Sequence, residues 1–284
     1  MNFWKMNGAG NDFILINDMA CVIPDDRLPE LARRLCERRL ALGADGMMVL
    51  RPPEADGDFK MLFFNDDGSV GEMCGNGARC ICRYGFETGL SVPERQQVET
   101  GAGLVTGYPA GGNQWRVRLN DPTVVELSHP IELGGTVHDC AYVELGSPGS
   151  PHAVLEMPGL RKLDPEALLP LARALRWDPS FPKGANVTFY ERTAPGRVFL
   201  RTFERGVEDF TWACGTGTGS TVLVLVLRGL ADGSADADMQ GGTLRVDVEL
   251  AENRVENLWL TGPTIVSARG ELTAECLSGI FEKI

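Results

Sequence analysis

The sequence predicts a mixed α/β fold built from two similar halves, each with a mixed sheet wrapped around one central helix. The turn Cys-Gly-x-Gly occurs twice, and its cysteines, Cys74 and Cys214, lie 140 residues apart (214 − 74) in a chain of 284. Residues 222–227 are apolar at every position, which is typical of a helix buried on all sides, although their β-branched members also suit a strand. Together these features predict a duplicated fold.

The internal repeat extends beyond the two cysteines. At the same offset, three further pairs of segments align without a gap: residues 59–65 with 199–205, 101–104 with 241–244, and 13–15 with 153–155. The offset also equates residues 221–227 with residues 81–87, and for that reason we predict a helix there. Chance also produces a few matches of this kind, and duplication is the interpretation we adopt. Two like halves that face each other would bring both cysteines to one cleft.

The first half, residues 1–120, alternates predicted strands and helices. Leucines recur at helical spacing in residues 26–40, and a second helix starts directly after Cys74. The predicted strands lie at residues 3–6, 13–16, 47–50, 59–64, 98–106 and 115–119. The loop between the first two strands is rich in Gly and Asn, which favours either a plain hairpin turn or a polar loop that presents Asn11.

The second half, residues 121–262, follows a candidate junction at Asn120-Asp121-Pro122. Asp164 and Pro165 predict the start of a helix that runs to residue 175, because Asp is a preferred N-cap and Pro suits the first turn. Residues 146–152 are predicted as a loop. The predicted strands lie at residues 141–145, 198–203, 245–250 and 257–260.

Composition narrows the function classes. The net charge is −12 and no basic run occurs, which argues against nucleic acid or an anionic membrane as partner. The longest apolar run is far too short to span a bilayer, and the N-terminus lacks a signal-peptide pattern. Eight cysteines in such a chain indicate free thiols in a reducing cytoplasm. We expect no metal, because the chain has no Cys-x-x-Cys pair and only three scattered histidines.

Each Cys-Gly-x-Gly turn places a thiol at a predicted helix N-terminus. Unpaired backbone N–H groups and the positive end of the helix dipole lower a thiol pKa there, and they can also hold a carboxylate. Two thiols on opposite sides of an amino acid could remove the α-proton and return one on the other face. One of Cys74 and Cys214 must then be a thiolate while the other is a thiol.

Neighbouring groups must tune these thiols, because a helix terminus contributes only about 0.3–2 kcal/mol and one pKa unit corresponds to about 1.4 kcal/mol. His152 and Glu204 are the candidates. His152 equally suits an ordinary loop histidine, and from spacing alone that interpretation is slightly favoured. Glu204 equally suits an exposed ion pair with Arg205.

Other interpretations of the two cysteines are weaker. Buried structural cysteines would not both need Gly-x-Gly after them, and a disulfide conflicts with a reducing compartment. A hydrolase nucleophile at Cys74 would leave the second turn unexplained. A Cys-rich metal or redox binding protein is the non-enzyme alternative, and measuring the metal content by atomic emission would separate it from the enzyme.

Five segments of the chain resemble the diaminopimelate epimerase family, in the family's order and across nearly the whole chain. They are Lys5-Met6-Asn7-Gly8-Ala9-Gly10-Asn11-Asp12-Phe13, Cys74-Gly75-Asn76-Gly77-Ala78-Arg79, Pro151-His152, Glu204-Arg205-Gly206 and Ala213-Cys214-Gly215-Thr216-Gly217. The Asn-Asp-Phe and Cys-Gly-Asn-Gly-Ala-Arg segments are specific, whereas Cys-Gly-Thr-Gly also occurs in proline-racemase-like proteins.

The resemblance implies a cofactor-independent isomerase that interconverts LL- and meso-diaminopimelate for lysine and peptidoglycan synthesis. It implies that Cys74 accepts a proton from the LL-isomer, that Cys214 donates one, and that His152 and Glu204 tune them. Further implied substrate contacts are Asn11, Asn65, Gly75, Asn76, Asn186, Glu204, Arg205, Gly215 and Thr216. Two α/β halves are implied, with residues 263–284 returning to the first. The expected partner is a small-molecule amino-acid substrate. The resemblance leaves the oligomeric state undecided between a monomer and a homodimer.

Three departures from the family pattern touch the part that would read the substrate. Ser150 stands where the family usually has Asn, and Gly46 stands where some members have Gln. Residues 207–212 are bulkier and about one residue longer than usual. A racemase or epimerase of another amino acid, similar to proline racemase, is therefore the alternative enzyme.

Overall fold

The structure is a computed structural model that describes residues 1–71, 74–92, 94–147, 149–252 and 254–280. The chain forms two compact units. The first unit contains Met1–Val117 and Gly262–Ile284, and the second contains Arg118–Thr261. Within the described ranges, no helix combines the length and the apolar character that crossing a lipid bilayer requires.

The first stretch of the chain contains eight strands and two α-helices in its described residues. They are β1 (Asn2–Gly8), β2 (Asn11–Asn17), α1 (Leu28–Cys36), β3 (Gly46–Arg51), β4 (Phe59–Asn65), β5 (Val70–Gly71), α2 (Gly75–Thr88), β6 (Gln96–Thr100), β7 (Gly103–Pro109) and β8 (Gln114–Arg118).

The remaining strands and helices follow in chain order. They are β9 (Pro122–Leu133), β10 (Thr136–Leu145), β11 (Ser150–Glu156), α3 (Pro165–Arg176), β12 (Asn186–Ala194), β13 (Arg197–Phe203), α4 (Gly215–Leu227), β14 (Ser234–Met239), β15 (Gly242–Ala251), β16 (Arg254–Pro263), β17 (Ile265–Glu271) and α5 (Ala274–Leu277).

The first unit is a mixed sheet around helix α2. Strand β1 pairs with β17 and β2, β2 runs parallel to β3, and β4 connects β3 to β6. Helix α2 packs against β1, β2, β6 and β7. On β2, Ile14 and Ile16 instead join the apolar cluster under α1. Both faces of this strand are therefore covered, which explains its continuous apolar run.

The second unit repeats this plan around helix α4. Strands β9 to β13 pair in chain order, with β11 and β12 parallel, and β13 runs parallel to β14. Helix α4 packs against β10, β11, β12, β14 and β15. Residues Val222 to Leu225 are at most 1% exposed. The predicted helix at this apolar run is confirmed, because burial on every side outweighs the strand preference of its valines.

Four local predictions were wrong. The helix expected at residues 26–40 is a 3-10 turn at Asp25–Arg27 followed by α1, which stops at Cys36. The strand expected at residues 98–106 is split into β6 and β7 at Gly103, whose φ is 104°. Residues 141–145 are not the first strand of the second half, because β9 precedes them; only Ile131 of β9 is buried, so the strand has no apolar run that the sequence could show.

The fourth correction moves His152 out of a loop. Strand β11 begins at Ser150, and His152 pairs with Val143 on one side and Asn186 on the other. Pro151 masked the strand in the sequence, because proline lacks the N–H that a ladder uses.

Candidate active site

Cys214 caps helix α4 and is almost fully buried. Its backbone is extended (φ −117°, ψ 112°), and its carbonyl accepts the first helical hydrogen bond from Thr218 N–H at 3.0 Å. Its Sγ accepts a hydrogen bond from Gly217 N–H at 3.3 Å. A Cβ at position 217 would lie 2.8 Å from Thr188 Oγ1, so only glycine fits unless the surroundings shift. The sequence thus places this sulfur on the first turn of the helix.

Burial and the neighbouring polar groups determine the charge state of Cys214. Burial raises the pKa of the Cys214 thiol well above its ordinary value, and the nearby Glu204 carboxylate raises it further. Thr216 Oγ1, 3.5 Å from Sγ, and Gly217 N–H act in the opposite direction. Burial also raises the pKa of Glu204, which is hydrogen-bonded to Thr211. Cys214 is therefore held as a thiol beside a carboxyl group.

His152 lies next to this group as a neutral, fully buried side chain. Burial and the nearby positive charge of Arg205 lower its pKa to about 3. Its Nε2 lies 3.0 Å from Thr216 Oγ1 and 3.3 Å from Ser150 Oγ. The loop-histidine interpretation is wrong, because the histidine reaches Cys214 through Thr216.

Asn186 and Arg205 complete the polar group of the second unit. Asn186 Nδ2 donates to Pro151 O at 2.9 Å, and its Oδ1 accepts from Arg205 N–H at 2.8 Å. Arg205 is exposed, and its Nη1 donates to Lys183 O at 3.0 Å. Among the described residues it makes no ion pair with Glu204, so the exposed-pair interpretation of Glu204 is also wrong.

Cys74 caps helix α2 with nearly the same backbone (φ −125°, ψ 123°) and is half-buried. Its carbonyl accepts from Ala78 N–H at 2.7 Å. One turn into the helix, Arg79 is fully buried and donates to Gly75 O at 3.1 Å and to Asn76 Oδ1 at 2.8 Å. Negative charge on Cys80 and, to a smaller extent, on Cys74 would raise the pKa of Arg79 and so stabilise its cation. Because this attraction is mutual, Arg79 favours the thiolate form of Cys74.

Asn11 belongs to the same group in the first unit. Ala9 and Gly10 both have positive φ, as in the turn of a tight hairpin, so the hairpin interpretation of this loop is confirmed. The turn also presents Asn11, whose Oδ1 accepts from Asn76 Nδ2 at 2.6 Å. Asn65 ends β4 and donates to Ser69 Oγ at 2.9 Å.

Sequence reasoning missed three participants. Arg79 stands inside a quoted motif, but nothing in the sequence indicates that it is buried. Thr211 and Asp45, which bond Glu204 and Asn11, carry no sequence signal beyond their proximity to motif residues. In the described part of the chain, no three His, Cys, Asp or Glu side chains are grouped so that they could hold a metal ion.

Comparison with known proteins gives one consistent family. A family model described as diaminopimelate epimerase matches residues 3–123 and 146–265. The diaminopimelate epimerase of Moorella thermoacetica is 34% identical over 95% of this chain and 99% of its own length. That of Desulforudis audaxviator is 37% identical over 87% of this chain and 91% of its own length.

Solved structures share the fold at low identity. A probable proline racemase from Agrobacterium radiobacter has a TM-score of 0.68 at 18% identity, covering 98% of this chain and 94% of its own. A PhzF-family phenazine biosynthesis protein from Bacillus anthracis has a TM-score of 0.69 at 13% identity, covering 96% and 99%. The mixed α/β fold expected from the sequence is confirmed.

Proposed function

Because the chain belongs to the diaminopimelate epimerase family, we propose that it interconverts LL- and meso-diaminopimelate by two-cysteine proton transfer without a cofactor. The observation that carries the mechanism is the pair of cysteines that begin helices α2 and α4. Cys74 and Cys214 have the same backbone setting and opposite electrostatic surroundings. This difference suits one base and one acid.

In the proposed reaction, the Cys74 thiolate removes the α-proton of the LL-isomer. The electron pair left on the α-carbon delocalises into the substrate carboxylate, and the Cys214 thiol gives its proton to the other face of the same carbon. In the reverse direction the two roles exchange. The first-turn N–H groups of Gly75, Asn76, Gly215 and Thr216 lie outside the ladders of α2 and α4, and they would stabilise the charge on that carboxylate.

The remaining site residues divide into tuning and binding groups. Glu204 and His152 would tune Cys214, the first by direct contact and the second through Thr216. Arg205 has an exposed guanidinium suited to the distal carboxylate of the substrate. The further binding residues in this proposal are Asn11, Asn65 and Asn186.

We also propose that the enzyme works in the cytoplasm. All eight cysteines of the sequence are free in the structure, which suits a compartment that keeps thiols reduced. The chemistry needs two free thiols at once, so an oxidising compartment would oppose it.

Isotope incorporation tests the two-thiol reaction directly. A thiol carries one proton, so a single cysteine would return to the carbon the hydrogen that it had removed. With two thiols, the proton of the product comes from a group already equilibrated with solvent. Early in a reaction in D2O, we expect deuterium at the epimerised carbon of the product and almost none in residual substrate, in both directions.

Matched variants complete this test. Cys74→Ala and Cys214→Ala should each abolish epimerisation, whereas Cys276→Ala, a half-buried cysteine outside the site, should keep wild-type activity. Early product that retains the substrate hydrogen would contradict the mechanism. A panel of L-amino acids assayed beside LL-diaminopimelate tests the substrate, and turnover of another amino acid alone would identify a different racemase.

A further inference from the structure

A chain of side-chain hydrogen bonds runs through the first unit from Arg79 to Asp45. Arg79 Nη2 donates to Asn76 Oδ1 at 2.8 Å. Asn76 Nδ2 donates to Asn11 Oδ1 at 2.6 Å, and Asn11 Nδ2 donates to Asp45 Oδ2 at 3.2 Å. The two middle members are proposed substrate contacts, whereas neither end member is among the proposed substrate contacts.

The two end residues of this hydrogen-bond chain can each bond in only one direction, whereas the two asparagines in the middle can bond in either direction. A guanidinium only donates hydrogen bonds and a carboxylate only accepts them, but an asparagine amide can point either way. If Asn76 turned over, its NH2 group would face the NH2 group of Arg79. If Asn11 turned over, its carbonyl would face the carboxylate of Asp45. Because the two amides bond to each other, neither can turn alone.

Burying the charged side chain of Arg79 in this position is energetically unfavourable. It is fully buried, and in the described chain no carboxylate pairs with it. Burial lowers its pKa to about 10, so it still carries its charge at neutral pH. Arginine is rarely buried without a paired charge, because desolvation of the guanidinium is unfavourable. Its two hydrogen-bonded nitrogens both face the first turn of α2, at Gly75 and Asn76.

Asp45, at the other end, is itself held in place. Arg38 Nη2 donates to its Oδ1 at 2.8 Å, and Asp12 N–H donates to its Oδ2 at 3.0 Å. The carboxylate that faces Asn11 therefore cannot turn away without losing these two bonds.

We propose that Arg79 and Asp45 are positioning residues that set the direction of the amide chain, so that Asn11 and Asn76 present fixed donor and acceptor atoms to the substrate. The identity of that substrate rests on the proposed function. The second unit uses a different device, because there backbone groups fix the amide of Asn186.

Four variants test the proposal by kinetics. Asp45→Asn and Arg79→Gln each replace one end of fixed polarity with an amide, so the reversed direction has one mismatched contact instead of two, and the double variant has none. We expect KM to rise about tenfold in the double variant, the factor for one ordinary hydrogen bond, and less in each single variant. In Asp45→Asn, kcat should change less than KM because the amides bind substrate and transition state alike, whereas Arg79→Gln should also lower kcat because it removes the cation beside Cys74. Arg79→Lys keeps a donor-only end and should recover much of the wild-type KM.

Arg83→Gln is the matched control on the same helix. Arg83 bonds Glu87 and the carbonyl of Thr264 and does not touch the amide chain, so its KM should stay at the wild-type value. A merely structural role for Arg79 would lower the folded fraction and leave the KM of the remainder unchanged, and that result overturns the proposal. If Arg79→Gln does not fold, the nearly isosteric Asp45→Asn decides alone.

A second readout does not depend on activity. In protein labelled with 15N-asparagine, the side-chain amides of Asn11 and Asn76 should each give one slowly exchanging pair of NMR signals. In Asp45→Asn, both pairs should exchange faster, because reversal then leaves one mismatched contact instead of two, and in the double variant with Arg79→Gln both pairs should double. Doubled signals in the wild type would overturn the proposal. Inactivity on diaminopimelate with single, slowly exchanging signals would instead overturn the proposed function and leave the positioning intact.

Discussion

The turns at Cys74 and Cys214 have the same backbone and opposite surroundings. Both cysteines are extended N-caps that precede a glycine and a helix. Cys74 is half-buried one turn from the buried Arg79 cation, whereas Cys214 is buried beside the Glu204 carboxyl. Since two like helices contribute similar dipoles, the side chains around each turn decide which thiol loses its proton.

The repeat shows where this difference arises. The residue equivalent to Arg79 at the 140-residue offset is Gly219. A Cβ there would lie 2.6 Å from Leu119 Cδ1, so the second unit has no room for a cation at this position. The second turn therefore lacks the buried cation that lies near Cys74 in the first, in addition to having Glu204 beside its cysteine.

The comparison of the two turns predicts its largest effect on the rates at which Cys74 and Cys214 are alkylated. At about pH 8, iodoacetamide should modify Cys74 at least tenfold faster than Cys214, because only the thiolate reacts and each pKa unit changes its population about tenfold. Cys214 is also only 7% exposed. Peptide mass spectrometry at timed intervals gives both rates in one sample.

Glu204→Gln is the matched variant for this experiment. Removing the carboxylate removes the repulsion that raises the pKa of Cys214, so Cys214 should react faster while Cys74 keeps its rate. A wild-type protein in which Cys214 reacts as fast as Cys74 would contradict the assignment of base and acid.

The second prediction concerns pH and the buried His152. Its pKa is about 3 in the folded protein, against about 6.5 when unfolded. As pH falls below about 6.5, His152 therefore becomes protonated in the unfolded state while it stays neutral in the folded state. Stability should fall by up to about 1.4 kcal/mol per pH unit until about pH 3.

His152→Gln removes the titrating group and with it this contribution to the pH dependence of the free energy of unfolding. In urea denaturation at a series of pH values, the wild type should lose stability relative to the variant as pH falls below about 6.5. Above that pH the difference should be constant. Parallel profiles for the two proteins down to about pH 4 would show that His152 is not buried as a neutral side chain.

The sequence was informative about the repeat and poor about the surroundings of each thiol. A 140-residue offset and two Cys-Gly-x-Gly turns were enough to predict both central helices, because both patterns can be recognised in the sequence without knowledge of packing. The tuning of Cys214 depends on Glu204, which follows strand β13, and on His152 of strand β11, which reaches Cys214 through Thr216. His152 could not be placed because a proline hid its strand. Burial of Arg79 is a property of packing, so no local pattern reports it.

The smallest effect expected compares the equivalent glycines Gly77 and Gly217. A Cβ at Gly77 would meet the terminal methyl of Met48, a flexible side chain that can move away. A Cβ at Gly217 would lie 2.8 Å from Thr188 Oγ1 and 3.0 Å from Thr202 Oγ1, two buried hydroxyls bonded to each other. Gly217→Ala should therefore cost about 1–3 kcal/mol of unfolding free energy. Gly77→Ala should cost less, because alanine's better helix propensity, up to about 1 kcal/mol, offsets a smaller strain.

Urea denaturation of both variants gives the two values. Equal losses, or a greater loss at Gly77, would mean that the second turn is no more tightly enclosed than the first.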